Sequence, residues 1–220
     1  MALVRGGWAV AILAFFGFLI PSKAHALSLD LAASISQPEL QLKSATDDRV
    51  LGTMVGRSSY WPSVTLKTRE RYFGGSHFGY SASAMAWYMR MNQQRTGGQV
   101  VNLGTSARGY FAYLIPTFYY RFGDRYSMES PNWMGSIGIG AGLGYLNVKG
   151  NMVTTETAPT RLEPINYVGV GVSSGLFLEI LKKKWFFRVA NFGPMLNSGS
   201  LKLELRNTSI KFGRSFEFDL

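Results

Sequence analysis

The sequence predicts an all-β protein: an antiparallel transmembrane β-barrel of eight strands, or of ten if Leu27 to Leu42 adds strands of its own. Three observations carry this. From about Pro62 onward apolar residues alternate with small or polar ones at period two. The alternating segments are separated by clusters of Gly, Asn, Asp, Ser and Pro. Many of them exceed the ~5 or 6 residues usual in soluble sheets and approach the ~9 to 11 that a tilted membrane strand needs.

In the segment from Trp133 to Asn147, Ile137, Ile139, Ala141, Leu143 and Tyr145 share one face, and Ser136, Gly138, Gly140, Gly142 and Gly144 share the other. The stretch from Tyr167 to Ile180 repeats the pattern, with Val168, Val170, Val172, Leu176, Leu178 and Ile180 against Gly169, Gly171, Ser173, Gly175 and Glu179. Tyr110, Ala112, Leu114, Phe118, Tyr120 and Phe122 make a third apolar face, interrupted by Pro116, which marks an edge or a bulge. Further strands are expected at Pro62 to Phe73, His77 to Arg90, Trp185 to Phe192, Ser200 to Arg206 and Ser209 to Leu220.

Three hairpins fix their own register, because a one-residue slip would mix the two faces. A turn at Lys183-Lys184 sets Ile180 against Phe187, Leu178 against Val189 and Glu179 against Arg188. A three-residue loop at Gly74 to Ser76 sets Leu66 against Ala84, with Lys67, Arg69 and Arg71 opposite Ser83, Ser81 and Gly79. A turn at Asn207-Thr208 sets Leu205 against Ile210 and Glu204 against Lys211.

The composition narrows the function. The 220 residues include 25 Gly, 15 Phe, 11 Tyr and 5 Trp, but only two His and no Cys, and the net charge is +10. This is one domain's worth of chain. The basic residues are scattered and form no nucleic-acid tail, so no nucleic-acid partner is expected. Without cysteine there is no disulfide, thiol nucleophile or zinc-thiolate site, and no cofactor or metal centre is expected. The glycines at 138, 140, 142 and 144 keep a spacing of two and match no nucleotide-binding loop.

Met1 to Ala26 reads as a signal peptide for export. Arg5 is the basic n-region, Trp8 to Ile20 the apolar run, and Ala24-His25-Ala26 the small-x-small cleavage site. Cleavage there leaves His77 as the sole histidine and lowers the net charge to +8. Residues 27–61 are less regular, broken by Pro38 and the polar run Ser44 to Arg49, and fit a strand, a lumen plug or a periplasmic arm. The barrel proper is expected over 62–220.

After Ala26 no stretch approaches a continuous apolar helix span, so a membrane role falls to strands, which must close into a barrel to satisfy their backbone polar groups. A Gly- and Ser-rich face with isolated charges suits a narrow lumen, whereas a water-exposed face of this length carries more Lys and Glu. The chain ends with Ile210, Phe212, Phe216, Phe218 and Leu220 at alternating positions. Here the sequence resembles the small outer-membrane β-barrel proteins of proteobacteria with no assigned activity, similar in class to the transmembrane domain of outer-membrane protein A. Tyr119-Tyr120-Arg121-Phe122-Gly123-Asp124, Leu143-Gly144-Tyr145-Leu146 and Trp185-Phe186-Phe187-Arg188 carry the resemblance. It implies localisation in the cell outer membrane. It also makes Phe212, Phe216, Phe218 and Leu220 a signal for the barrel-assembly machinery, with Leu220 where the family pattern prefers Phe.

Inward charges on adjacent strands read as struts in the lumen: Glu179 with Arg188, Glu204 with Lys211, and Lys67, Arg69 and Arg71 with Glu217 and Asp219 where the barrel closes, with Arg121 also inward. Lys182, Lys183 and Lys184 form the densest basic cluster, a candidate contact for lipopolysaccharide phosphates at the outer rim. Ser76 beside His77 points to opposite sides of a strand and makes a poor catalytic pair. A structural or lipid-interacting role, without enzymatic activity, is therefore expected, with outer-membrane lipid and lipopolysaccharide as partners. A narrow pore for small solutes is the second reading and a lipid A modifying enzyme the third. With Pro62 opening the first strand, the short turns fall outside and the long connections inside, the reverse of the usual arrangement.

Overall fold

The computed structural model describes residues 26–57, 59–68, 70–74, 76–123, 133–155 and 160–219. Most of the leader, Arg69 and Leu220 lie outside these residues. The described chain forms β1 (Ala26–Ser44), β2 (Val50–Val55), β3 (Ser59–Thr68), β4 (Arg71–Tyr72), β5 (Phe78–Met91) and β6 (Gln93–Thr96). It continues through β7 (Gln99–Val101), β8 (Ala107–Gly123), β9 (Trp133–Val153), β10 (Leu162–Lys182), β11 (Trp185–Ser198) and β12 (Leu201–Asp219).

Eight of these close an antiparallel ring in the order β1-β3-β5-β8-β9-β10-β11-β12. The ring is sealed along 19 consecutive pairs, from Ala26 against Asp219 to Ser44 against Leu201. Each strand of the ring is thus paired on both sides, the contact between β3 and β5 being the shortest, from Thr65 to Lys67. β2 and β6 extend the wall above β3 and β5, and β6 and β7 form a small hairpin on top. At Gly193 the strands approach so closely that an added Cβ would stand 1.6 Å from the Leu205 carbonyl oxygen, so only glycine fits.

The first strand of the barrel is therefore Ala26–Ser44, not Pro62 onward, and the barrel includes most of residues 27–61. The turn expected at Asn207-Thr208 does not exist. β12 runs unbroken from Leu201 to Asp219, and the hairpin turn lies at Gly199-Ser200. The eight strands are kept because one strand is gained at the start and two are merged at the end. This shift removes the apparent inversion of loop lengths. Ala26, Asp219 and the Lys183-Lys184 turn lie at one end, the end of the termini; the 45–49, 92–106, 154–161 and 199–200 connections lie at the other.

The apolar side chains change sides along single strands. At the end that holds the termini, outward positions are apolar: Leu31 and Ile35 on β1, Ile137 and Ile139 on β9, Val170, Leu176 and Leu178 on β10, and Ile210 and Phe212 on β12, all exposed. Inward positions there are polar, among them Asp30, Ser34, Ser136, Glu179, Ser209 and Lys211, all buried. Toward the loop end the order reverses. Leu40, Leu42, Leu146, Val148, Met152, Leu203 and Leu205 point inward and are buried. Gln37, Lys149 and Arg206 on the same strands face out and are exposed. The switch falls between Tyr145 and Leu146 on β9 and between Asn207 and Arg206 on β12, with the β9–β10 and β1–β12 ladders unbroken.

The reversal has one physical cause. A strand face that meets an apolar medium carries apolar side chains, and a face that meets water does not. Where water surrounds the wall, the apolar side chains must turn inward and make a core. That core packs Leu40, Met54, Met91, Phe111, Leu146 and Leu203 across the full bore of the barrel. A smaller cluster of Met134, Leu181 and Phe186 lies near the termini, and the polar layer lies between the two.

Candidate functional site

The polar layer is built from inward residues of five strands. Arg188 on β11 donates from Nε to Glu179 Oε2 on β10 at 2.7 Å, and its Nη2 bonds the same oxygen and Asp30 Oδ2 on β1, the latter at 3.1 Å. Lys67 on β3 meets Asp30 Oδ2 at 2.8 Å and lies 3.9 Å from Glu179. Ser215 on β12 donates to Asp30 Oδ1. Every oxygen of Asp30 thus has a donor, which is what a carboxylate removed from water requires.

Lys211 on β12 is the unbalanced member. It is buried, forms no salt bridge among the described residues, and its Nζ lies 2.8 Å from the Met85 sulfur, a weak acceptor. A cavity of about 40 Å³ touches Lys211, Arg188, Glu179, Tyr119 and Asn207, large enough to hold water. Of the atoms on its lining residues, Trp87 Nε1, Tyr119 Oη, Arg121 Nε and Asn207 Oδ1 lack a hydrogen-bond partner within the described protein. Water in this cavity is the natural partner for them.

A second ion pair lies nearer the termini. Arg121 on β8 makes a bidentate contact with Glu70, Nη1 to Oε2 at 2.6 Å and Nη2 to Oε1 at 2.8 Å. Tyr72 donates to the same carboxylate, and the guanidinium lies over the Tyr72 and Tyr119 rings.

The register sets Glu179 opposite Arg188 and Leu66 opposite Ala84. Other expected pairings do not form. Glu204 faces Met195 and Gln41, and its carboxylate meets Lys43 and Arg206, because β12 does not fold back on itself. Lys211 therefore stands alone of that pair. Lys67 and Arg71 do not meet Glu217, because β1 separates β3 from β12. Lys67 joins Asp30, Arg71 lies opposite Tyr80, and Glu217 and Asp219 pair with Ser28 and Ala26. Asp30 and Glu70 were not foreseen. Asp30 carries a sequence signal, an acid on the small-residue face of Leu27, Leu29 and Leu31; Glu70 sits in a connection and carries none.

His77 Nδ1 lies 2.9 Å from the Arg121 backbone oxygen and its ring rests against Tyr120. No group of three metal-ligating side chains occurs among the described residues.

On the outer wall, aromatic residues bound the apolar belt. Phe78, Tyr120, Phe122, Trp133 and Trp185 lie toward the termini, and Tyr88, Tyr110 and Tyr145 toward the loops, all exposed. Ten residue steps from Phe78 to Tyr88 on a strand tilted ~40° cover about 25 Å of height. Just beyond the tyrosines, Arg90, Arg108 and Lys149 stand directly opposite one another on β5, β8 and β9, all exposed and without an acidic partner among the described residues. Like charges directly opposed across strands repel.

Lys182, Lys183 and Lys184 lie at the end that holds the termini. Lys182 Nζ sits 4.9 Å from the Trp133 ring centre.

No protein-family model and no curated protein matches the chain. Solved structures resemble it. The attachment invasion locus protein Ail of Yersinia pestis is 12% identical, over 87% of this chain and 99% of that one, with a TM-score of 0.42. Neisserial surface protein A is 11% identical over 88% and 99%, also at 0.42. The N-terminal β-barrel domain of OprF from Pseudomonas aeruginosa is 11% identical over 83% and 97%, at 0.32. At these identities the likeness is one of barrel architecture.

Proposed function

We propose that the protein is an outer-membrane β-barrel of a Gram-negative envelope, exported with a cleaved leader, that serves as a solid, non-conducting and lipid-interacting body and not as an enzyme. The reversal of apolar faces along β1, β9 and β12 carries this reading. An outward apolar belt about 25 Å tall with aromatics at both rims matches the outer-membrane class of barrel. Above the belt the same strands carry polar residues outward, as a wall in water must.

The sealed bore favours a solid body over a pore. Leu40, Met54, Met91, Phe111, Leu146 and Leu203 have essentially no solvent exposure. An eight-stranded barrel is just wide enough to be filled by its own side chains. His77, held by a backbone carbonyl and an aromatic ring, supports no hydrolytic pairing with Ser76.

With the termini in the periplasm, the Lys182 to Lys184 turn faces the periplasm, and the contact with lipopolysaccharide falls instead to Arg90, Arg108 and Lys149. Phosphates of the outer leaflet supply the anions these three opposed cations lack. Phe212, Phe216 and Phe218 line the outward side of the last strand, as the resemblance to substrates of the barrel-assembly machinery requires.

Membrane fractionation with gel migration before and after boiling tests the reading. A heat-dependent shift in apparent size, in the outer-membrane fraction, is expected. A soluble protein that migrates identically in both lanes overturns it.

A further inference from the structure

We propose that the wall around Arg214 is a binding site for an anionic phospholipid of the leaflet nearer the termini. The proposal rests on the membrane reading above and goes beyond it.

Four outward residues on adjacent strands alternate in kind. Trp133 on β9 is paired with Lys182 on β10, Lys182 with Trp185 on β11, and Trp185 with Arg214 on β12. Arg214 lies between Phe212 and Phe216 on the outward side of β12, with its guanidinium 6.0 Å from the Trp185 ring centre and 5.4 Å from that of Phe216. Trp185 in turn stacks on Phe212 at 5.4 Å. No acidic side chain bonds Arg214, Lys182, Lys183 or Lys184 among the described residues.

Arg214 stands level with Trp185 in the aromatic rim of the belt, the height at which lipid phosphates lie. Next to it, where β1 closes on β12, the outward wall is open and apolar, lined by Leu31, Ala33, Ile35, Val64, Ile210 and Phe212, and Arg214 and Phe216 belong to the same patch. An acyl chain packs on this apolar surface, and the lipid's phosphate then reaches Arg214 and the lysines of the adjacent turn. Charge selects the lipid: three lysines and an arginine with no acidic partner among the described residues favour phosphatidylglycerol over a zwitterionic lipid. The indoles of Trp133 and Trp185 favour the interface where that phosphate sits.

The test uses the full chain in phosphatidylcholine bilayers doped with phosphatidylglycerol or phosphatidylcholine brominated on the acyl chain. Bromine near an indole quenches its fluorescence, and the difference between the protein and its Trp185→Phe variant isolates Trp185. Half-maximal quenching of Trp185 is expected at a several-fold lower fraction of brominated phosphatidylglycerol than of brominated phosphatidylcholine. In Arg214→Gln and Lys182→Gln variants, checked for heat-dependent migration, the preference is expected to fall by roughly fivefold per cation. Equal quenching by both lipids in the unmodified protein overturns the site and leaves the membrane reading standing. Quenching by neither lipid overturns the membrane reading, and the site with it. A preference that survives in both variants also overturns the assignment to these cations.

Discussion

Tyr145 and Leu146 are neighbours on β9, yet the Tyr145 ring is exposed on the outside of the barrel and Leu146 is fully buried inside it. Below this pair the outward residues are apolar; above it the inward ones are. The same change occurs on β1 and β12 while the ladder between those two strands runs unbroken.

The upper core is expected to hold the barrel closed by ordinary burial. Leu203→Ala and Met54→Ala each remove a side chain with no exposure, and each is expected to cost about 2–5 kcal/mol. Urea unfolding in lipid vesicles measures it. Ile139→Arg, on the outward face, is expected to cost about 2–4 kcal/mol in a bilayer.

The central ion cluster is expected to act as a strut. Glu179→Ala leaves Arg188 with Asp30 alone and is expected to cost about 3–5 kcal/mol, the size seen when one partner of a buried pair is removed. No conductance is expected in planar bilayers, because the core from Leu40 to Leu203 still fills the bore. Single-channel steps in the variant alone would show that the pair, and not the core, closes the barrel.

Lys211 is the one member of that cluster without a carboxylate among the described residues. Lys211→Met keeps the length of the side chain, removes a buried charge and leaves the Asp30–Lys67–Arg188–Glu179 set intact. The variant is expected to unfold at higher urea than the unmodified protein. A lower midpoint would mean that the ammonium has a stabilising partner.

Gly193→Ala places a Cβ against the Leu205 carbonyl, so β11 and β12 must separate locally. A loss of about 1–3 kcal/mol is expected, the usual cost of overpacking, read from the same urea titration.

Much of this was legible in the sequence, and the part that was not has a definite reason. The hairpin from β10 to β11 could be registered because Glu179 and Arg188, Ile180 and Phe187, and Leu178 and Val189 match only one way. The faces of Ile137 to Tyr145 and Val168 to Ile180 were plain for the same reason. The end of the chain misled because Leu201, Leu203 and Leu205 fall on odd positions and Ile210, Phe212, Phe216 and Phe218 on even ones. A change of parity ordinarily marks a turn or a bulge. In β12 it marks the level at which the surroundings change, and sequence periodicity alone does not separate the two. The same change at Pro38 hid β1, whose first half is apolar on odd positions and whose second half, Leu40 and Leu42, is apolar on even ones. The partners of Lys67 were lost with it, since Asp30 lies on that strand.

The most direct measurement uses the absence of cysteine from the natural sequence to place single cysteines at 139, 146 and 149 in the reconstituted protein. Each is challenged with a water-soluble maleimide and with a lipid-dissolved one. Cysteine at 149 is expected to react only from water, at 139 only from lipid, and at 146 with neither until the protein is unfolded. Reaction at 139 from water, or at 146 in the folded protein, would contradict the exchange of inner and outer faces on which the barrel's placement depends.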